Sequence, residues 1–381
     1  MFNIIILGIT SLLTDISSEM IYPILPAFLV GTLGASPAIL GLIEGIAESV
    51  ASVLKVFSGY WSDKIKRRKP FTIFGYTNSA LGKLFLYFSS SWLYVLFGRI
   101  IERFGKGVRT APRDALIVES ASSAKRGAAF GLHRSLDALG AVGGVILAYI
   151  FVVYYKDNIR HIILISLIPA SLGVLFLFLV KEKKNTETKA VKNKLELKWK
   201  ILDKRLKLFL IFTFLFTLGN SSNQFLLLKA QKAGNPLSTV ILLYLVYNIS
   251  RVVFTYPASR LSDKIGRKRV LVLGYLFYAM VYLGFAANTS LAVFWVLFGI
   301  YGMYMGFTEG VEKALVTDIA PGELKATAIG LHATLVGIGL FPASLLAGML
   351  WKFFGPQATF YFGGVMGIIA SIGLWFILKG L

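Results

Sequence analysis

Long apolar runs alternate with short polar breaks along the whole chain. The pattern predicts twelve helical spans, at about 3–30, 38–61, 71–89, 92–117, 127–154, 160–180, 207–229, 237–259, 270–288, 291–317, 326–351 and 356–378. Most are longer than the roughly 20 residues needed to cross a bilayer as a helix. An all-α membrane protein is therefore expected, with twelve transmembrane helices.

The breaks are of two kinds. Gly31–Pro37, Ser89–Ser91 and Ala286–Ser290 are short and uncharged. Lys64–Lys69, Lys125 with Arg126, Lys264–Arg269, Lys325 and the longer Lys181–Lys207 are rich in lysine and arginine. Basic loops stay on the cytoplasmic side. With an even number of spans, both termini are then cytoplasmic and the uncharged loops face outside. No basic stretch or small-residue cleavage site precedes the first apolar run, so no removable signal peptide is expected.

Two basic breaks are copies of each other. Gly59-Tyr60-Trp61-Ser62-Asp63-Lys64-Ile65-Lys66-Arg67-Arg68-Lys69 returns as Ser259-Arg260-Leu261-Ser262-Asp263-Lys264-Ile265-Gly266-Arg267-Lys268-Arg269. Each has an arginine four residues after its aspartate (Asp63/Arg67, Asp263/Arg267). Gly131-Leu132-His133 recurs as Gly330-Leu331-His332, and Asp114–Glu119 aligns with Lys313–Asp318, both at an offset of 199. Leu96-Phe97-Gly98 matches Leu297-Phe298-Gly299 at an offset of 201. Collinear matches with drifting offsets indicate duplication of a six-span unit. The expected organisation is two pseudo-symmetric six-helix bundles, 1–180 and 207–381, joined by a cytoplasmic linker, 181–206. Within the linker, Leu195, Trp199, Leu202 and Leu206 lie on one face of a candidate surface helix. A solvated basic linker that only fixes topology fits equally well.

Composition narrows the function. Charged residues make up 15% of the chain, against about 25% in soluble domains. The net charge of +21 sits in a few hairpins and the linker, where it sets topology and meets anionic lipid; it is no nucleic-acid signature. There is no cysteine. No phosphate loop, zinc-ligand spacing or nucleophile elbow is found, so no enzyme, cofactor or metal is expected, and an ion gradient is the expected energy source.

The paired hairpin motif, set after the second span of each half, resembles that of the major facilitator superfamily, and most closely its drug/metabolite:proton antiporter branch. The resemblance covers essentially the whole chain. Gly98-Arg99-Ile100-Ile101-Glu102-Arg103-Phe104-Gly105 is similar to the family's fourth-helix motif, with Glu102 and Arg103 in place of its Gln and Gly. Gly131, Gly140 and Gly144 keep the glycine spacing of the fifth-helix antiporter motif, but Val145 stands where that motif has proline. The resemblance implies two halves that rock about a central cavity lined by spans 1, 4, 7 and 10. It also implies cytoplasmic gates made of an aspartate, an arginine and an acid at the end of the fourth helix: Asp63, Arg67 and Glu119, and Asp263, Arg267 and Asp318. A charged loop that only fixes topology is the plainer alternative.

Charges inside the spans carry the remaining chemistry. Each costs about 2.5–3.5 kcal/mol at the bilayer centre on insertion scales, so several together imply a wet or paired interior. Span 1 has Asp15 and Glu19; span 2 has Glu44, Glu48 and Lys55; span 4 has Arg99, Glu102, Arg103, Lys106, Arg109, Arg113 and Asp114; span 5 has Arg134 and Asp137. At 1.5 Å per residue, Asp15, Glu48 and Arg103 lie about 15–18 Å from a helix end, near the midplane. An acid wall on spans 1 and 2 is expected to face a basic ladder on span 4. Asp15, Glu19, Glu48 and Asp137 are the candidate proton-coupling acids; a permanent structural ion network is the alternative.

The second half is polar rather than charged. Asn220-Ser221-Ser222-Asn223-Gln224 occupies span 7 where span 1 has Asp15–Glu19, and Asn248 and Arg251 lie in span 8. Asn220, Asn223, Gln224, Asn248 and Arg251, with Arg99 and Arg103, are the candidate substrate-cavity residues. The amide run could equally hold helices together. His133 and His332 suggest shared packing, and the pairing of Glu309, Glu312 and Lys313 with Arg260 or with each other stays open. The expected function is secondary transport by alternating access, with proton-coupled export of a small organic or drug-like solute. Uptake or exchange of an organic anion and lipid flipping remain alternatives. The expected partners are the solute, protons and membrane lipids, with a monomer in the cell membrane.

Overall fold

The computed structural model describes residues 2–65, 67–122, 125–155, 158–182, 203–320 and 325–377, with the side chains of Ala326 and Thr327 excepted. Among these residues all regular structure is helical: α1 Phe2–Ile21, α2 Pro37–Ile65, α3 Lys69–Tyr87, α4 Trp92–Ser120, α5 Arg126–Tyr154, α6 Ile159–Leu177, α7 Lys204–Gly219, α8 Gln224–Lys232, α9 Leu237–Ile265, α10 Arg267–Ala287, α11 Leu291–Ile319, α12 Lys325–Phe354 and α13 Pro356–Ile377. Most of the linker predicted at 181–206, with Leu195, Trp199 and Leu202, lies outside the described residues; Leu206 is in α7.

Eight segments among the described residues are long and apolar enough to cross a membrane. They are the first helix with its 3₁₀ extension, α5, α6, and α9 to α13. α2 and α4 are rich in charged residues, α3 holds Lys83 among other polar residues, and α7 is cut short. The expected span at 207–229 is in fact two helices, because the chain leaves helical geometry from Asn220 to Asn223. The first span bends without breaking. Pro23 and Pro26 remove two backbone donors, and a 3₁₀ turn at Tyr22–Ile24 and a π turn at Ala27–Thr32 carry the helix past them.

The chain divides into two compact units, Met1–Ala35 with Ile46–Lys192, and Ser36–Gly45 with Asn193–Leu381. In the first, α3 packs along α4, α1 against α5 and α6, and α3 against α6. The second repeats the set: α10 on α11, α7 on α12 and α13, and α10 on α13. The start of α2 groups with the second unit, where Gly41 and Gly45 meet the backbone of Ser344 and Phe341.

Small residues permit the close crossings that place the polar groups. A Cβ at Gly82 would sit 2.6 Å from the Gly98 carbonyl oxygen, and one at Gly98 would sit 2.9 Å from that of Gly82. α3 and α4 therefore touch backbone to backbone. Gly140 and Gly144 do the same for α5 and α1: a Cβ there would come 2.6 Å from the Leu12 carbonyl and 2.5 Å from that of Ile16. This brings α5 directly behind Asp15 and Glu19.

Candidate functional site

In the first unit polar residues of α1 to α5 pair within and between helices. Arg103 Nη2 lies 2.8 Å from Glu48 Oε1, and Arg99 Nη1 lies 2.5 Å from Glu102 Oε2. Arg99, Glu102 and Arg103 are buried. One rung of the expected acid-to-basic ladder therefore forms between α2 and α4. Arg99 also pairs within α4, where a residue and its neighbour three positions on share a face. Glu44 instead lies in the second unit, fully buried, and accepts a hydrogen bond from Ser222 Oγ at 3.4 Å.

Further along α4, Arg109 donates to Ser79 Oγ and its guanidinium lies 4.3 Å above the Tyr76 ring. Ser79 Oγ in turn donates to the Glu102 carbonyl at 3.0 Å. Arg113 pairs with its neighbour Asp114 at 2.8 Å and reaches Ser11 Oγ on α1 at 3.4 Å. Asp137 lies 3.4 Å from His133 Nδ1, one turn earlier on α5.

Asp15 stands apart. No described residue forms an ion pair with it, and the charges acting on it are Asp137, Lys106, Arg109 and Glu19. Its backbone neighbourhood is fixed by the α1–α5 crossing at Gly140, where a Cβ would come 3.1 Å from the Asp15 Cβ.

The second unit is organised around the break at Asn220–Asn223. Backbone groups freed there need partners in a nonaqueous setting. The Tyr278 hydroxyl donates to the Gly219 carbonyl at 2.6 Å, and Ser344 Oγ accepts from the Ser222 amide at 3.3 Å. The amide side chains meet tyrosines. Asn220 Nδ2 donates to Tyr304 at 3.0 Å, Tyr301 donates to Asn223 Oδ1 at 2.8 Å, and Asn223 Nδ2 lies 3.4 Å from Tyr247. Gln224 is fully buried, with its backbone amide held by Ser222 Oγ. Asn248 is buried and turns onto its own helix, donating to the Tyr244 carbonyl at 3.0 Å. Arg251 pairs with Glu309 at 2.8 Å, and Glu312 accepts from Tyr275 at 3.0 Å and lies 3.5 Å from His332.

At the hairpins the two copies differ by one register step. In the second unit Arg267 reaches Asp318 at 3.0 Å and Asp263 at 3.9 Å, the expected trio. In the first unit Arg68, not Arg67, takes this place, 3.0 Å from both Asp63 and Glu119. α9 and α10 are joined by Gly266 alone, in a left-handed conformation (φ 94°), whereas three residues separate α2 from α3. The longer turn carries the arginine that meets both acids one place further on. Glu119 lies beyond the span predicted at 92–117. Partial burial pushes its carboxyl above the usual range, against the pull of Arg68.

A family model for the Major Facilitator Superfamily matches residues 7–234 and 209–380. The chain belongs to this superfamily. It is a multi-pass membrane transporter, not an enzyme. An uncharacterized MFS-type transporter of Methanocaldococcus jannaschii is 41% identical, over 98% of this chain and 94% of the relative. Multidrug resistance protein 2 of Bacillus subtilis is 27% identical over 37% of this chain and 35% of its own. Among solved structures, a nucleoside transporter superposes with a TM-score of 0.86 at 14% identity, over 99% of this chain and all of that one. A D-xylose-proton symporter does so with 0.76 at 18%, over 98% and 97%.

Two features of this superfamily member lay outside the sequence reading. Lys83 of α3 is fully buried and donates to Ser17 Oγ at 2.6 Å and Ser18 Oγ at 3.1 Å on α1. A lone lysine inside an otherwise uncharged apolar run was the available signal. The tyrosines around the α7 break are spread over α9, α10 and α11. Aromatic residues are common everywhere in this chain, so their convergence had no sequence signature.

Proposed function

We propose that this transporter exports small organic, drug-like solutes in exchange for protons. In this reading twelve spans, counting α7 and α8 as one, form two six-helix bundles in the cell membrane, with both termini cytoplasmic, and alternate access to a central cavity. The observation that carries it is Asp15, an acid with no ion-pair partner among the described residues, set between the acids Asp137 and Glu19 and the bases Lys106 and Arg109. An acid already paired to arginine releases and rebinds protons with difficulty; one between like and unlike charges responds to small movements. Glu19 shares its helix face, and Asp137 acts on it from α5. The polar break of the second unit offers amide and phenol groups for hydrogen bonding to solute. The resistance proteins among the relatives favour export.

Uptake of an organic anion receives less support. It needs arginines available to an anionic solute, and Arg99, Arg103 and Arg251 are each matched to a glutamate.

The test is proton movement in proteoliposomes loaded with a pH-sensitive dye and exposed to ethidium, a fluoroquinolone or an organic anion. Wild type is compared with Asp15→Asn combined with Glu19→Gln. Cation-evoked proton movement that the double variant loses supports the reading. Solute flux with no proton movement sinks it.

A further inference from the structure

The register step in the first hairpin leaves one arginine over. Arg68 makes both gate contacts, so Arg67 is exposed and has no ion-pair partner among the described residues. It lines a groove of about 620 Å³ at the hairpin end of α3. Ligand pockets generally run from about 300 to 1,000 Å³.

The groove is amphiphilic along its length. Its floor is a stripe of α3, with Pro70, Ile73, Phe74 and Thr77 at the spacing of one helix face. Phe74 is 53% exposed and packs edge-on to Phe104. The other charges at the mouth are already engaged. Lys69 Nζ donates to the carbonyls of Phe178 at 2.9 Å and Val180 at 2.7 Å, and the Glu182 carboxylate accepts from the backbone amides of Arg68 and Lys69. Arg67 is thus the group offered to a ligand, with apolar surface running away from it down the helix. Tyr60 and Trp61, both exposed at the same end of α2, are residue types that gather at the level of lipid headgroups.

We infer that this groove binds one anionic phospholipid, its phosphate on Arg67 and an acyl chain along the Ile73–Thr77 stripe. A guanidinium matches a phosphodiester through paired hydrogen bonds, and the stripe matches a hydrocarbon chain. In the second hairpin, which has a single linking residue, the aligned Arg267 is committed to Asp318.

The experiment is native mass spectrometry of the full chain released from detergent, titrated with phosphatidylglycerol, phosphatidylcholine or glycerol 3-phosphate. Neither proton coupling nor orientation in the membrane enters the readout, so failure of the export reading leaves this test intact. The expected result is one tightly held phosphatidylglycerol, weakened about fivefold by Arg67→Gln, in keeping with roughly 1 kcal/mol per basic residue at a lipid surface. Arg67→Lys should lose less, and Lys264→Gln in the other hairpin should change nothing. Phe74→Ala gives a second reading on the apolar part should Arg67→Gln fail to fold. Equal binding of phosphatidylcholine, or phosphatidylglycerol binding unchanged by both Arg67→Gln and Phe74→Ala, overturns the proposal. So does glycerol 3-phosphate binding as well as the lipid, or adduct loss only when residues 183–202 are deleted, which would assign the groove to the chain's own segment.

Discussion

Arg103 of α4 holds Glu48 of α2 with 2.8 Å between nitrogen and oxygen, a rung between helices of the ladder inferred from charge spacing. The Glu48 side chain is 32% exposed and that of Arg103 9%. Removing one member of a fully buried pair costs about 3–5 kcal/mol, because the other is left charged and alone. Partial exposure lowers this, and about 2 kcal/mol is expected for Glu48→Gln. Arg103→Met combined with Glu48→Leu should recover most of the loss. Thermal unfolding in detergent checks both; a double variant as unstable as Glu48→Gln would contradict the pairing.

The α1–α5 crossing gives a second expectation. Gly140→Ala places a methyl group 2.6 Å from the Leu12 carbonyl, and Gly144→Ala one 2.5 Å from that of Ile16. Neither backbone can yield easily, so each should lose about 1–3 kcal/mol and displace the helix that carries Asp15. Gly131, on the same helix, has nothing within 4 Å of a built Cβ. Gly131→Ala should be neutral within about 1 kcal/mol. Melting temperatures of the three variants, measured side by side, decide the matter.

How far the sequence could anticipate this arrangement depended on the range of the interaction. The hairpin trio of Asp263, Arg267 and Asp318 was expected from the repeated motif together with the family resemblance, which adds the acid at the end of the fourth helix, and the structure brings the three together. The first copy misleads because motif spacing is counted in residues, whereas the ion pairs depend on where α3 begins; the longer turn there puts Arg68 in the place expected for Arg67. The broken span at Asn220–Asn223 was hidden because its flanks, 207–219 and 224–232, are themselves helical. A short polar run within apolar sequence reads as a wet helix face as readily as an interruption. Lys83 was visible as a single charge, but its serine partners come from another helix, and nothing local announces them.

The register step makes the two arginines of the first hairpin separable. Arg68→Gln should slow transport severalfold, and Arg67→Gln should leave the rate within about twofold; pairs this exposed contribute little to stability. Arg267→Gln in the second unit should behave like Arg68→Gln. Acid should act on the first gate through Glu119. Its raised carboxyl takes up a proton earlier than an ordinary glutamate as pH falls, and the contact with Arg68 then loses its charge. Initial rates across a pH series, with Glu119→Gln as the reference that cannot titrate, measure this. The acid-side difference between the two proteins should be lost when Arg68 is also replaced.

The tyrosines at the α7 break separate scaffold from solute contact. Tyr278 donates to the Gly219 carbonyl, so Tyr278→Phe leaves a buried acceptor without a donor and should cost about 1–3 kcal/mol of stability. Tyr301 donates to Asn223 Oδ1 at 2.8 Å. If Asn223 binds solute, Tyr301→Phe releases its amide to turn, and apparent solute affinity should fall with little change in melting temperature. A double-mutant cycle of Tyr301→Phe with Asn223→Ala distinguishes the two roles. Coupling seen in affinity places Asn223 at the solute, held in position by Tyr301. Coupling seen only in thermal stability makes the amide run an internal brace for the broken helix, and solute recognition must then be sought among the side chains of the first unit.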